Sequence, residues 1–151
     1  AGNASQISDG AGALLLASAD AVGRYNLMPI ARVLTRAVVG TDPILALDGP
    51  IAATKKILGM TGGLTLDDMD VIEINEAFAS VVLAWVKEFN PDMEKVNPNG
   101  GAIAHGHPLG ATGAVLMTKL VHEMQRRNAR FGLQTMCIGH GMATATILER
   151  V

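Results

Sequence analysis

The sequence predicts an α/β domain built on a mixed sheet with helices on both faces. Segments with strand-like patterns alternate with segments of helical pattern along most of the chain. The chain ends in two β-rich stretches separated by only two residues, which is typical of an antiparallel hairpin. Hydrophobic residues make up 49% and charged residues 17% of the 151 residues, a composition that supports a folded core.

The first part of the chain contains two predicted strands and a short helix. Residues 11–18 (AGALLLAS) form a short apolar run, which predicts a buried strand. Ser18 is a good helix cap, so a short helix is expected over 19–26. Residues 31–40 are rich in β-branched side chains and end at Gly40, which indicates a second strand.

The central part is predicted to fold as helix, strand and helix. Residues 49–60 have a helical pattern with Pro50 near the first turn. Residues 70–75 alternate between apolar and polar side chains and indicate a strand that ends at Asn75. Residues 76–89 are apolar on nearly every side, which predicts a buried helix.

The last part supplies an amphipathic helix and the closing hairpin. The helix is predicted over 114–128. The hairpin strands are predicted over 131–139 and 142–151, joined by His140 and Gly141. An antiparallel hairpin beside strands that are connected through helices makes the sheet mixed rather than purely parallel.

Composition excludes several classes of partner. The formal net charge is −2, so we expect neither nucleic acid nor an anionic membrane surface as a partner. No apolar run reaches the ~18 residues of a membrane span. Cys137 is the only cysteine, so an internal disulfide is impossible and a reducing compartment is allowed. The expected location is cytoplasmic. The chain opens at Ala1, and we expect it to be a fragment of a longer protein.

A glycine-rich stretch, GGAIAHGHPLGATG at 100–113, contains the first candidate for chemistry. His107 precedes Pro108, which restricts its backbone. An imidazole held in this way suits general acid–base work or an oxyanion hole. The alternative is a histidine that only caps a loop carbonyl, and the residues by themselves favour that alternative.

Two further candidates lie at predicted strand ends. Cys137 leads into a glycine-containing turn, where it is either a reactive thiol or a small buried hydrophobe. Backbone N–H groups near Gly139 would then face a developing oxyanion. Asn75 follows a strand and precedes a helix, so a helix N-cap is the simpler interpretation. Glu76 is interpreted as a first-turn carboxylate that complements the helix dipole.

Zinc and nucleotide binding are two alternatives. His105, His107, Cys137 and His140 together offer four ligands, although their spacing matches no common zinc site. The glycine-rich stretch lacks the G-x-G-x-x-G pattern of dinucleotide-binding folds and the Lys-Ser/Thr ending of a P-loop. Both alternatives are therefore weaker than the hypothesis that the ordered motifs support together.

Three blocks follow one another along the chain: NEAFA at 75–79, NGGAIAHGHPLGATG at 99–113 and GLQTMCIGHGMA at 132–143. Together they resemble the C-terminal half of the thiolases, the family of acetyl-CoA acetyltransferases and 3-ketoacyl-CoA thiolases. The opening stretch GNASQISDGAGALLL, at 2–16, is similar to the passage that leads into this half. The resemblance covers essentially the whole chain.

The resemblance implies a fold of two duplicated α/β halves, each with a mixed five-stranded sheet and helices on both faces. Residues 1–26 would be the trailing strand and helix of the N-terminal half, and 27–151 would be the C-terminal domain. The segment 11–18 would then lack its own sheet. We therefore expect an exposed apolar patch on this chain.

The resemblance also implies roles for individual residues. Cys137 would be the acid–base cysteine. His107 would activate the nucleophile and donate to the thioester oxygen, and Asn75 would hold a water that completes this first oxyanion hole. The backbone N–H of Gly139 would help to form a second hole. Three residues match positions that line the pantetheine tunnel of coenzyme A: Ser5, Ala77 and Phe78.

Two departures from the family pattern matter. The family's nucleophilic cysteine belongs to the N-terminal half, so this chain alone is expected to be inactive. His140 stands where the family usually has glycine. Implied partners are the N-terminal half, acyl-CoA and CoA, with a homodimer or homotetramer at full length and no permanently bound cofactor or metal. The alternative to an enzyme fragment is a non-catalytic CoA-binding or assembly module.

Overall fold

Four strands and five α-helices make up residues 2–151, the part of the chain that this computed structural model describes. In chain order the elements are α1 (Ala19–Tyr25), β1 (Ala31–Gly40), α2 (Gly49–Gly59), β2 (Val71–Ile74), α3 (Ala79–Phe89), a 3₁₀ turn (Met93–Lys95), α4 (Ala102–His105), α5 (Thr112–Arg127), β3 (Phe131–Gly139) and β4 (Met142–Arg150). Every predicted helix is present, and Ser18 caps α1 by accepting a hydrogen bond from the Ala21 N–H.

The four strands form one mixed sheet in the order β1-β4-β3-β2. β4 is antiparallel to both β1 and β3, whereas β2 and β3 are parallel. The predicted hairpin is confirmed, with His140 (φ 52°) and Gly141 (φ 78°) between its strands. Two consecutive positive φ angles match the twist of a two-residue hairpin.

Helices cover both faces of the sheet, as predicted. Ile72 and Ile147 belong to one apolar cluster with the α3 residue Trp85. Their sequence neighbours Val71 and Leu148 belong to a second cluster that contains residues of α5. Successive side chains of a strand point to opposite faces, so α3 lies on one face and α5 on the other. Helix α2 joins the first cluster and packs against β1, β3 and β4.

The prediction of a fifth strand is wrong. In the described part of the chain, the position beyond β2 is occupied only by Val96 and by the amide side chain of Asn97. Val96 makes one parallel bridge to Ile72. Asn97 then adopts a left-handed backbone (φ 44°) and is followed by Pro98, so the extended segment ends. The Asn97 side chain accepts from the Ile74 N–H (2.9 Å) and donates to the Ile74 carbonyl (3.0 Å). These bonds satisfy the edge of β2 without a further strand.

The predicted strand at 11–18 is also absent from the sheet. These residues have no regular secondary structure and are exposed, with Leu15 83% and Leu16 81% accessible. A strand needs a neighbour for its N–H and C=O groups, and no strand of the described residues pairs with this segment. The expected exposed apolar patch is confirmed. The division of the chain at residues 26 and 27 stays a prediction.

Helix α3 starts three residues later than predicted. Phe78, in extended backbone (φ −142°), precedes its first residue, so Asn75 and Glu76 lie outside the helix. Only Val81 and Trp85 are fully buried, whereas Leu83 is 65% exposed. The prediction of a helix buried on every side is therefore wrong for one face.

Helix α5, with 16 residues, has the amphipathic character that was predicted. Leu116, Leu120 and Met124 are buried on its sheet-facing side. Within residues 2–151, no helix is both long and apolar enough to cross a lipid bilayer.

Candidate active site

Two candidate residues are placed by the parallel pair of strands. Asn75 directly follows β2, and its backbone N–H donates to the Thr135 carbonyl of β3 (3.1 Å). Cys137 lies two residues further along β3. Since β2 and β3 run in the same direction, both residues lie at the carboxyl edge of the sheet, where α/β proteins build their sites.

His107 contacts Asn75 from a separate loop. The Asn75 Nδ2 atom lies 3.3 Å from the His107 Nε2 atom. On the other side of the ring, the Nδ1 atom lies 2.6 Å from the Thr112 hydroxyl, which itself donates to the Pro108 carbonyl (3.0 Å). The hydroxyl therefore accepts from Nδ1–H, which leaves the Nε2 lone pair free to accept from the Asn75 amide. This tautomer follows from the hydrogen-bond network.

The backbone of His107 is held by the N-terminal segment of the chain. Its N–H donates to the Gln6 carbonyl (2.9 Å). Gly106, just before it, adopts φ 95°, a conformation that side chains disfavour. A Cβ at this glycine would also lie 2.3 Å from the Ser8 hydroxyl. The close approach of residues 6–8 to the loop therefore depends on Gly106.

Burial shifts the proton affinities of the two candidate acid–base groups in opposite directions. Desolvation lowers the pKa of the His107 imidazole, which favours the neutral ring. Desolvation raises the pKa of the Cys137 thiol, which favours the protonated sulfur. A neutral imidazole can take a proton and a protonated thiol can supply one, so the two groups are in complementary states at neutral pH.

Asn75 is fully buried, and only one end of its side chain is used within the protein. Its Nδ2 contacts His107, whereas its Oδ1 makes no hydrogen bond to the protein. A buried acceptor without a partner is costly, on the order of 1–3 kcal/mol. Such an atom fits a site that binds a polar ligand or a water.

Cys137 lies near the carboxyl end of β3 and is surrounded by apolar side chains. It is 6% exposed and clusters with Ala77 and Val81, and Leu47 packs against that cluster. The β3–β4 register shifts between Cys137 and Gly139, and Gly139 has a positive φ of 79°. An irregularity of this kind commonly redirects backbone groups beside active sites.

The three residues matched to the pantetheine tunnel lie together. The Ser5 N–H donates to the Ala77 carbonyl (3.0 Å), and Ala4 forms a bridge with Phe78. Ala77 is buried against Cys137, whereas Phe78 is 45% exposed. The structure therefore joins this group to the candidate catalytic residues through Ala77.

The zinc alternative gains no support from the geometry. His105 is exposed, and its Nε2 atom lies 3.4 Å from the Lys119 Nζ atom. His140 is exposed in the hairpin turn. Across residues 2–151, no three His, Cys, Asp or Glu side chains are grouped so that they could hold a metal ion.

Sequence reasoning missed Thr112 and misread Glu76. Thr112 lies five residues after His107 at the start of α5, and that position at a helix N-terminus was the available signal. Glu76 does not complement the dipole of α3. Its carboxylate accepts instead from the Asn97 side chain and from the Ile103 N–H (3.1 Å).

Comparisons with known proteins agree with these motifs. A family model described as "Thiolase, C-terminal domain" matches residues 27–150. A steroid 3-ketoacyl-CoA thiolase of Mycobacterium tuberculosis is 57% identical over 148 residues, which are 98% of this chain and 36% of that protein. The 3-oxoadipyl-CoA/3-oxo-5,6-dehydrosuberyl-CoA thiolase of Escherichia coli is 50% identical over 153 residues, 100% of this chain and 38% of that protein.

The fold agrees as well. The crystal structure of human mitochondrial 3-ketoacyl-CoA thiolase in complex with CoA superposes with a TM-score of 0.90 and 39% sequence identity. The match covers 99% of this chain and 38% of the human chain, so the chain spans less than two fifths of the length of these relatives. The matched family model, the ordered motifs and the shared fold lead to one conclusion: this chain belongs to the thiolase family and corresponds to the C-terminal domain of that family.

Proposed function

We propose that the protein containing this chain cleaves 3-ketoacyl-CoA with CoA, or runs the reverse condensation of acyl-CoA units. The observation that carries this proposal is the part-buried contact between Asn75 and His107 at the carboxyl edge of the sheet, the edge to which Cys137 also belongs. A carboxamide, an imidazole and a thiol at one edge supply hydrogen-bond donors for an oxyanion and groups that move protons. Thioester cleavage and condensation need both.

Each residue then has a distinct role. Cys137 gives a proton to the departing α-carbon and takes one from the incoming thiol, which suits a thiol that burial keeps protonated. His107 activates the nucleophile and donates from Nε2 to the thioester oxygen once it carries a proton there. Asn75 holds a water in the same oxyanion hole. The Gly139 N–H contributes to the second hole.

The substrate is proposed to be a CoA thioester. Both bacterial relatives are named as thiolases of 3-ketoacyl- or 3-oxoacyl-CoA compounds, and the human structure is a complex with CoA. Ser5, Ala77 and Phe78 would line the pantetheine arm, with Phe78 offering an exposed aromatic face. No permanently bound cofactor is required for this chemistry.

The nucleophile must come from a second domain. Cys137 is the only cysteine of this chain, so one chain cannot provide both the nucleophilic and the acid–base sulfur. We propose an N-terminal thiolase half as the partner. The exposed apolar residues of the N-terminal segment, among them Ile7, Leu15 and Leu16, are suited to such a contact. The cytoplasmic location and the homodimer or homotetramer expected from the sequence stay predictions.

Activity of the whole protein tests this proposal. In a protein in which this chain follows a cysteine-bearing N-terminal half, we expect CoA-dependent cleavage of a 3-ketoacyl-CoA. Cys137→Ala and His107→Ala should each lower kcat by at least about 2 decades. Thr118→Val, which removes a hydroxyl that bonds to the Ala114 carbonyl of the same helix, serves as the control. Near-normal activity in either active-site variant would refute the assignment.

The second candidate is a non-catalytic CoA-binding module, which the single cysteine favours. The two candidates differ in what the chain does alone. A module binds acyl-CoA tightly by itself and gains nothing from an N-terminal half, whereas a thiolase domain gains binding and activity from it. Calorimetric titration with acetyl-CoA, with and without that half, separates them.

A further inference from the structure

The Glu76 carboxylate lies where the strand end that carries Asn75 meets the loop that carries His107. Its Oε1 accepts from the Asn97 side-chain amide (3.0 Å), and its Oε2 accepts from the Ile103 N–H (3.1 Å). The two donors come from different parts of the connection between α3 and α5. The half-buried carboxylate of Glu76, the residue next to Asn75, therefore bonds to two points of this connection.

The first of these ties is rigid because Asn97 is fixed to β2. Its side chain bonds to both the N–H and the carbonyl of Ile74, and its own N–H donates to the Ile72 carbonyl (2.8 Å). The Asn97–Glu76 bond thus connects the carboxylate to the edge of the sheet. This orients the second oxygen towards Ile103.

The second tie depends on a glycine. A Cβ built at Gly101 would lie 2.0 Å from the Cδ atom of Glu76, closer than any real contact. The backbone N–H of Ile103 reaches the carboxylate because residue 101 has no side chain. Ile103 belongs to α4, a helix of only four residues that is followed by Gly106 and His107. A displacement at Ile103 is therefore transmitted to the imidazole through a short segment.

We propose that Glu76 is a positioning residue that sets the distance between the His107 imidazole and the Asn75 carboxamide. Glu76 is the chain neighbour of Asn75 and, through Ile103, bonds to the segment that leads to His107, so one residue acts on the positions of both partners of the 3.3 Å contact. The inference rests on the proposed function only in treating His107 as the reacting imidazole.

Glu76→Gln is the decisive variant because glutamine has one acceptor oxygen where the carboxylate has two. One of the two donors, the Asn97 amide or the Ile103 N–H, would then face another N–H group. If the freed donor is at Ile103, its amide should exchange with solvent roughly 10-fold faster or more, as expected for loss of a charge-assisted bond. In either case the loop loses one of its two attachments.

The readout is His107 itself, followed by nitrogen-15 NMR of the 151-residue chain. In the wild type we expect a neutral ring with hydrogen on Nδ1 and a pKa below the ordinary value of ~6.5. In Glu76→Gln we expect the pKa to move up towards that value and the tautomers to mix. Glu88→Gln, a matched change at an exposed carboxylate, should leave both unchanged. A Glu76→Gln chain whose His107 titration and tautomer equal those of the wild type overturns the proposal.

A second variant covers the case in which Glu76→Gln does not fold. Gly101→Ala retains the Glu76 carboxylate but displaces it from the loop, and should produce the same change at His107. Gly110→Ala in the same loop meets no atom within 4 Å and is the matched control. Equal His107 spectra in Gly101→Ala and Gly110→Ala would count against the positioning role.

Kinetics of the whole protein separate this inference from the proposed function. If thiolysis is present, Glu76→Gln should lower kcat with little change in KM for CoA, since Glu76 acts through His107. If the wild-type protein shows no thiolysis while Glu76→Gln still shifts the His107 titration, the positioning role stands and the proposed reaction fails. If thiolysis is present and His107 is unchanged, only the positioning role fails.

Discussion

The Thr112 hydroxyl lies 2.6 Å from the His107 Nδ1 atom while it donates its own hydrogen to the Pro108 carbonyl. A hydroxyl has only one hydrogen, so its oxygen must be the acceptor for the imidazole. This fixes the hydrogen of neutral His107 on Nδ1 and presents the Nε2 lone pair to Asn75 and the sheet edge. A threonine at the start of α5 thereby selects the tautomer that a general base at Nε2 requires.

Replacing Thr112 with valine should therefore disturb the tautomer without creating a cavity. The Nδ1–H group loses its acceptor, and we expect a mixture of tautomers in nitrogen-15 spectra of His107. In the whole protein kcat should fall by about 10²-fold, the size expected for a misplaced catalytic group. Thr118→Val removes a hydroxyl that only bonds to the Ala114 carbonyl of the same helix, and should leave the spectra unchanged. A single Nδ1–H tautomer in Thr112→Val would contradict this account.

Long-range contacts explain which parts of the site the sequence could not predict. The hairpin at His140 and the four predicted helices depend on residues close together in the chain, and their presence was predicted correctly. The fifth strand was predicted but is absent from the described residues, because the side chain of Asn97 forms the hydrogen bonds at the edge of β2. Thr112 and Glu76 act through partners whose positions follow only from the folded loop. Spacing alone does not reveal such partners.

The resemblance to a family indicated functional roles for Asn75 and His107, whereas the periodicity of the sequence did not. By pattern alone, Asn75 was a helix cap and His107 a loop histidine. The structure gives α3 a different cap, Phe78, and brings Asn75 and His107 together from positions 32 residues apart. The expectation that Asn75 and His107 belong to one oxyanion hole therefore came from the ordered motifs.

Cys137 should react slowly with alkylating agents at neutral pH. It is 6% exposed, and burial raises the pKa of its thiol, so little thiolate is present below the ordinary value of ~8.5. We expect alkylation by iodoacetamide at pH 7.5 to be roughly 10-fold or more slower than in the chain unfolded by guanidinium. Cys137 is the only thiol, so the modified fraction measured by mass spectrometry reports on it directly. Equal alkylation rates in the folded and unfolded chain would show that the thiol is not buried and that its pKa is not raised.

The buried pair of Glu73 and Lys119 should be far more sensitive to substitution than a surface pair. Glu73 is fully buried, and its Oε2 accepts from Lys119 (2.9 Å) while its Oε1 has no partner. Burial raises the pKa of Glu73, and Lys119 opposes that shift. Lys119→Met leaves the carboxyl without its cation and should lower the free energy of unfolding by about 3–5 kcal/mol.

Chemical denaturation measures this loss, and a second pair on the chain provides the control. Lys55 and Glu88 are both exposed, so Lys55→Met should change the free energy of unfolding by less than about 1 kcal/mol. The double variant Glu73→Gln with Lys119→Met should recover part of the stability, because no unpaired charge remains. Equal effects of Lys119→Met and Lys55→Met would show that burial does not govern the strength of the pair.

Glu123 should make the stability of the domain fall on acidification below pH 4.5. Hydrogen bonds from Arg126, Asn99 and Arg127 lower the pKa of its carboxyl to about 2. A group with a lowered pKa stabilises the fold above its ordinary value, and this contribution is lost as the pH falls towards the lowered one. The contribution is about 1–2 kcal/mol, because the exposed guanidinium of Arg126 is screened by solvent. Glu123→Gln should therefore be less stable than the wild type at pH 7, with the difference closing between pH 4.5 and pH 2. Glu88→Gln should show no such closure in denaturation curves at the same pH values, and a Glu123→Gln difference that stays constant down to pH 2 would rule out this linkage.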